Sequence, residues 1–116
     1  MSEFVEYLAE VFQDFGAIRS RRMFGGYGIY HDDLMFGLVA DDVLYLKVDA
    51  QSLARFKDMG LEPFEYIKNG KPMNMSYHMA PEAIFDDPDV AKEWAQLAFE
   101  AALRARKPER TKYLLI

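Results

Sequence analysis

Apolar residues recur at helical spacing along the first fifteen positions. Phe4, Leu8, Val11, Phe12 and Phe15 fall on one stripe, which predicts an amphipathic helix over residues 2–15. Ser2 is placed to cap it and Gly16 to stop it. The pattern then changes to three strand-like runs, Arg22–Tyr30, Leu34–Val39 and Val43–Val48. Their connections, "HDD" and "ADD", are short and polar, which suits antiparallel hairpins and leaves no room for crossover helices. In the third run Leu44, Leu46 and Val48 alternate with Tyr45 and Lys47, so one sheet face is core and the other is wet.

Asp49 is placed to open a second helix that runs to about Met59, with Leu53 and Phe56 inward and Gly60 closing it. Phe64–Lys68 and Met73–Met79 read as two further strands around "KNGK". Asn-Gly is a strong hairpin signal, because a type I′ turn needs positive φ at both central residues. Pro72 lacks an N–H and marks an edge or a strand start. "PEAIFDD" reads as a turn of helix or a loop. Asp87 caps a last helix with Pro88 at its first position, and Pro108 ends it. Its buried stripe is Val90, Trp94, Leu97 and Ala101, flanked by Ala98, Ala102 and Ala105. The resulting order is α-β-β-β-α-β-β-α. With one wet strand face, this predicts a two-layer α+β domain, an antiparallel five-stranded sheet with helices on one side.

At 116 residues the chain has the length of one domain, and it has no cysteine. Disulfides, thiolate zinc sites and cysteine nucleophiles are therefore excluded. No run reaches the ~20 apolar residues of a membrane span, and the acidic start does not read as a signal peptide. The expectation is a soluble cytoplasmic protein. The net charge of -5 does not suit a duplex-DNA binder, which normally carries an excess of Lys and Arg. A nucleic-acid role would have to come from a local patch.

The stretch "RSRRMFGGYGIYHDD" resembles a phosphate-binding loop in composition. Such a loop lies between a strand and a helix N-terminus, whereas these glycines follow a helix and fall inside a strand. The physical alternative is a bulge, a tight bend or a close backbone approach at Gly25, Gly26 and Gly28. Met23, Phe24, Tyr27, Ile29 and Tyr30 then fill both sides of the strand.

"RRMFGGYGIYHDDLMFGLVADDVLYLKVD" resembles the signature of the TfoX/Sxy N-terminal domain family. "EPFEY", "MSYHMAP" and the closing Trp- and Ala-rich helix resemble that family's second half, so the resemblance runs from about Val11 to about Arg106. It implies a single domain over residues 1–116 with a short basic and apolar tail at 108–116, in an α+β fold that secretion chaperones also adopt. It further implies regulation of natural competence genes, as a co-activator beside a DNA-binding regulator; from the residues themselves, no enzymatic activity and no cofactor are expected.

Candidate chemistry is sparse. His31 is expected to be solvated in a turn, and Ser76 with His78 on one strand face is the nearest approach to a catalytic couple. No acid or oxyanion hole accompanies that pair, so no catalytic residue is assigned. The carboxylates Asp32/Asp33, Asp41/Asp42 and Asp86/Asp87/Asp89 follow no metal-loop spacing and read as turn or cap residues. Two cationic groups stand out: Arg19, Arg21 and Arg22, and Arg104, Arg106 and Lys107. If they meet in space, they form a patch for a phosphate backbone or an acidic protein; otherwise they serve the last helix's dipole and nearby carboxylates. The run "PMNMSYHMA" reads as core or as an adaptable binding strand. The apolar "TKYLLI" could lie on its own sheet or pair with another chain, so a homodimer is one expectation. The leading expectation is a regulatory domain that binds a protein partner, a transcription regulator. Direct nucleic-acid binding and a ligand or enzymatic role on the wet sheet face are the alternatives.

Overall fold

The computed structural model describes residues 2–23 and 25–106. Helix α1 covers Glu3–Val11, and the Ser2 hydroxyl accepts a hydrogen bond from the Val5 amide, as a cap should. Strands β1 (Arg19–Met23), β2 (Gly26–His31), β3 (Leu34–Ala40) and β4 (Val43–Lys47) follow. Then come α2 (Leu53–Asp58), β5 (Pro63–Lys68) and β6 (Lys71–Met79), a single 3₁₀ turn over Glu82–Phe85, and α3 (Pro88–Ala105). The strands form one antiparallel sheet in the order β1-β2-β3-β4-β6-β5.

The expected sheet of five strands is thus corrected to six. The run Arg22–Tyr30 is not one strand. It folds back on itself, so that Met23 pairs with Gly26 and Arg19 with Tyr30. Gly25 makes the reversal possible with a φ of +76°, a region that costs other residues a Cβ clash. Gly26 serves a second purpose. It is buried, and a Cβ there would collide with the Val39 carbonyl oxygen of the neighbouring strand. Phe24, at the tip, lies outside the described residues.

The remaining hairpins use two-residue turns. Asp32 and Asp33, Asp41 and Asp42, and Asn69 and Gly70 all have positive φ, as type I′ turns demand. The second helix is shorter than expected. Asp49 to Ser52 form a turn in which the Asp49 carboxylate accepts from the Gln51 and Ser52 amides, and the helix itself begins at Leu53. On α3 the Asp87 carboxylate accepts from the Asp89 amide, as the cap reading required. Its buried face is mostly alanine: Ala91, Ala95, Ala98, Ala101 and Ala102 around Trp94. Ala105 is exposed, and Val90 and Leu97 only half-buried. Small side chains let the helix axis approach the sheet closely.

The pairings sort the strand residues by face. Ile29, Gly37, Leu46 and His78 form one row across β2, β3, β4 and β6. The helices lie on this side. Phe12, at the C-terminal cap of α1, and Phe99 of α3 meet Phe36, with ring centres 5.8 and 6.4 Å apart, and Phe56 of α2 meets His78 and Trp94. Phe36 gets there through a bulge. Ile29 pairs with Gly37 but Tyr30 with Met35, which leaves Phe36 as the extra residue, fully buried under the helices.

Candidate functional site

The opposite face carries the second row: Arg21, Gly28, Leu38, Tyr45 and Met79 across β1, β2, β3, β4 and β6. None of the helix–sheet ring contacts described above reaches it. Its own side chains cover it instead. Gly28 has no side chain, and the Met23 and Met35 sulfurs and the Tyr30 ring lie within 2.8–3.0 Å of where a Cβ would stand. Leu38 is 1% exposed on this side of the sheet. Tyr45 meets Phe64 edge-on at 5.0 Å. The Arg21 guanidinium stands 5.7 Å from the centre of the Tyr30 ring, and the Lys47 ammonium 5.1 Å from that of Tyr77. Burial, with a smaller effect from Tyr30, pushes the Tyr77 hydroxyl up to about 12, so it stays neutral. Burial also lowers Lys47, an effect that Asp49 partly offsets.

The sequence-predicted cations take different places. Arg19 and Arg21 lie on this open face, while Arg22, paired with Tyr27, points to the other. Arg19 approaches Asp33 at 3.5 Å, an exposed and loose contact. Arg104, on the last turn of α3, grips the carboxylate of Asp49 with two hydrogen bonds of 2.6 and 3.0 Å. That hydrogen bond holds the Asp49 carboxyl below its ordinary value and raises the guanidinium. Arg104 is therefore anchored just beyond β4, three strands from Arg19 and Arg21 on β1. Arg106 ends α3 as an exposed residue, and Lys107 lies outside the described residues.

Both histidines are structural in their contacts. His31 is not a solvated turn residue. Its ring sits between Phe15 and Phe99 at 4.5 and 5.0 Å, and its Nδ1 donates to the Ala17 carbonyl. His78 donates from Nδ1 to the Leu61 carbonyl and packs on Phe56, while Ser76 is exposed. A hollow of about 680 Å³ opens beside His78, lined by Leu53, Lys57, Leu61, Glu62 and Pro63. A second, of about 390 Å³, lies between α1 and β1, lined by Val5, Ala9, Ile18 and Ile29 with Glu6 and Arg19 at its rim. Among the described residues, no three His, Asp or Glu side chains gather closely enough to hold a metal ion.

Sequence reasoning missed Tyr30, Phe64 and Leu38 as members of one surface. The alternation of Tyr45 and Lys47 was the visible signal. The face emerges only when four strands are set in register.

The fold and this surface define a small two-layer α+β domain, with one sheet face built on helices and the other covered by aromatic, methionine and basic side chains. The chain belongs to the TfoX N-terminal domain family, whose pattern it matches over residues 10–102. It is 30% identical over 112 residues to the DNA transformation protein TfoX1 of Aliivibrio fischeri (strain ATCC 700601 / ES114), a match covering 97% of this chain and 54% of that protein. It is 27% identical over 107 residues to Protein Sxy of Escherichia coli (strain K12), covering 92% of this chain and 49% of that one. The chain thus spans about half the length of these curated relatives. Among the described residues, no helix is long and apolar enough to cross a membrane.

Proposed function

We propose that this domain is a non-enzymatic regulatory module of natural competence, which acts in the cytoplasm by binding a partner transcription regulator. The observation that carries this reading is the match to a DNA transformation protein along 97% of the chain. Two features of the molecule are in keeping with it. Each histidine packs against aromatic rings and donates Nδ1–H to a backbone carbonyl, a structural role in the domain. The cations of the first strand and of the last helix lie on separate elements, and Arg104 is held by Asp49. A continuous groove for duplex DNA would need those charges together.

The test is a chimera. The corresponding half of Aliivibrio fischeri TfoX1 is replaced by this domain, and uptake of marked DNA is measured in a strain that lacks the native gene. Uptake well above that of the deletion strain is the expected result. A chimera that accumulates normally but leaves uptake at the deletion level would contradict the reading.

A further inference from the structure

We propose that the open sheet face binds single-stranded nucleic acid, through base stacking on Tyr30, Tyr45 and Phe64 and phosphate contacts from Arg21 and Lys47. This activity goes beyond the competence reading and does not depend on it.

The first observation is charge. The chain holds nineteen acidic residues and fourteen Lys and Arg. Yet the register places no Asp or Glu on the open face of β1 to β4, or on the part of β6 paired with β4. The charged residues there are Arg19, Arg21 and Lys47. The nearest acids sit at its margins: Asp33, in a hairpin turn, shares a hollow with Arg19, Arg21 and Tyr30, and Asp49, held by Arg104, lies just past Lys47. An acidic protein has kept one face cationic, which fits an anionic ligand.

The second observation is the pairing of rings with cations. Arg21 stands beside Tyr30, and Lys47 beside Tyr77 and next to Tyr45. Tyr30, Tyr45 and Phe64 are half-buried, so each ring is held by neighbours yet presents part of its surface. An unpaired base gains from a ring face whatever its identity, and a cation one side chain away meets the phosphate that follows. The methionines that lean over Gly28 can repack to admit a base.

Two other occupants fit less well. A second copy laid face to face would bring Arg21 and Lys47 against like charges, since the nearest acids, Asp33 and Asp49, already face Arg19 and Arg104. Duplex DNA keeps its bases stacked and offers only their edges in the grooves, so the exposed rings would find no base face to stack on.

The test uses the purified chain and fluorescence anisotropy. The probes are an oligothymidylate and an oligouridylate of about 16 nucleotides, the upper end of the site size of one single-strand module, and a mixed-sequence duplex of the same length. Saturable binding of at least one single strand is expected, about tenfold or more tighter than the duplex and weakened by salt. Tyr45→Ala should weaken it by about 5- to 150-fold, the range for one lost stacking partner, while Tyr45→Phe keeps the ring and the affinity. Arg21→Gln and Lys47→Gln should each reduce the salt slope by about 0.7. Lys92→Gln, on the exposed side of α3, should change nothing. If Tyr45→Ala does not fold, the two salt-slope variants decide the matter. The proposal is overturned if no single strand binds, if the duplex binds equally well, or if folded Tyr45→Ala and both salt-slope variants bind like the parent. It is also overturned if an oligoglutamate peptide binds this face, with loss in Arg21→Gln and Lys47→Gln, while single strands do not. That outcome would assign the surface to an acidic protein segment.

Discussion

At the scale of single residues, the glycine run shows how one composition serves separate demands. Gly25 supplies a positive φ in open space, whereas Gly26 sits where a Cβ has no room beside the Val39 carbonyl. The two should differ on substitution. Gly25→Ala should lower the unfolding free energy by about 1–2 kcal/mol, the cost of a left-handed alanine. Gly26→Ala should lower it by about 3 kcal/mol or more, because the obstacle is rigid backbone. Urea titration of both variants checks the order, and equal losses would show that the turn, not the close approach, sets the requirement. Glycine's value at this stretch was legible in the sequence, since a strand glycine signals bend or contact. Which glycine does which was not, because it depends on how near β3 comes.

Asp49 carries the clearest pH dependence. Arg104 depresses its folded-state value, so the carboxylate's contribution is complete above the unfolded value near 3.8. It is lost as pH falls from there through the lower folded value. Asp49→Asn should therefore lower the melting temperature at neutral pH and bring the variant closer to the parent in acid. A variant whose deficit is the same at every pH from neutral to about 3 would show that the ion pair has no part in it.

At the scale of elements, local chemistry specified more than expected in some places and less in others. Asn69-Gly70, the Ser2 cap and the Asp87-Pro88 helix start could all be read from adjacent residues, and each has the anticipated geometry. The cap on α3 should matter most, since this helix covers β3 and β4. Asp87→Ala should cost about 1 kcal/mol by urea titration, and Asp87→Ser should recover most of it. A loss of less than about 0.3 kcal/mol would mean that packing on the sheet alone sets the register of the helix. By contrast, the sixth strand was hidden. The glycines of Arg22–Tyr30 signalled a bend or a contact without saying which, and only the pairing of Arg19 with Tyr30 reveals a hairpin inside the run. Phe36 was hidden for a related reason. Period-2 alternation cannot show an inserted residue, so the bulge that sends this ring under α1 and α3 leaves no trace in the pattern.

At the scale of the whole molecule, the six strands separate two tasks. One face is fixed by Phe36, Leu46 and Ile29 under three helices, and carries the stability of the domain. The other holds Leu38 and Tyr77 beneath a layer of long side chains that it could rearrange. The sequence showed a wet face on one strand, at Tyr45 and Lys47. It could not show that Arg21 joins them, because β1 was not separable from β2. The domain belongs to the TfoX N-terminal domain family and is similar to a protein named for DNA transformation, while the proposal for the open sheet face concerns what it would bind. The division of the sheet into a structural and a binding face is most directly tested by backbone amide NMR titrations with the oligothymidylate and the oligouridylate, read for whichever binds tighter. Shifts concentrated at Arg21, Tyr30, Tyr45 and Lys47, with α1 and α3 unmoved, are the predicted result. Shifts centred on the helices, or none at a saturating excess of ligand, would contradict it.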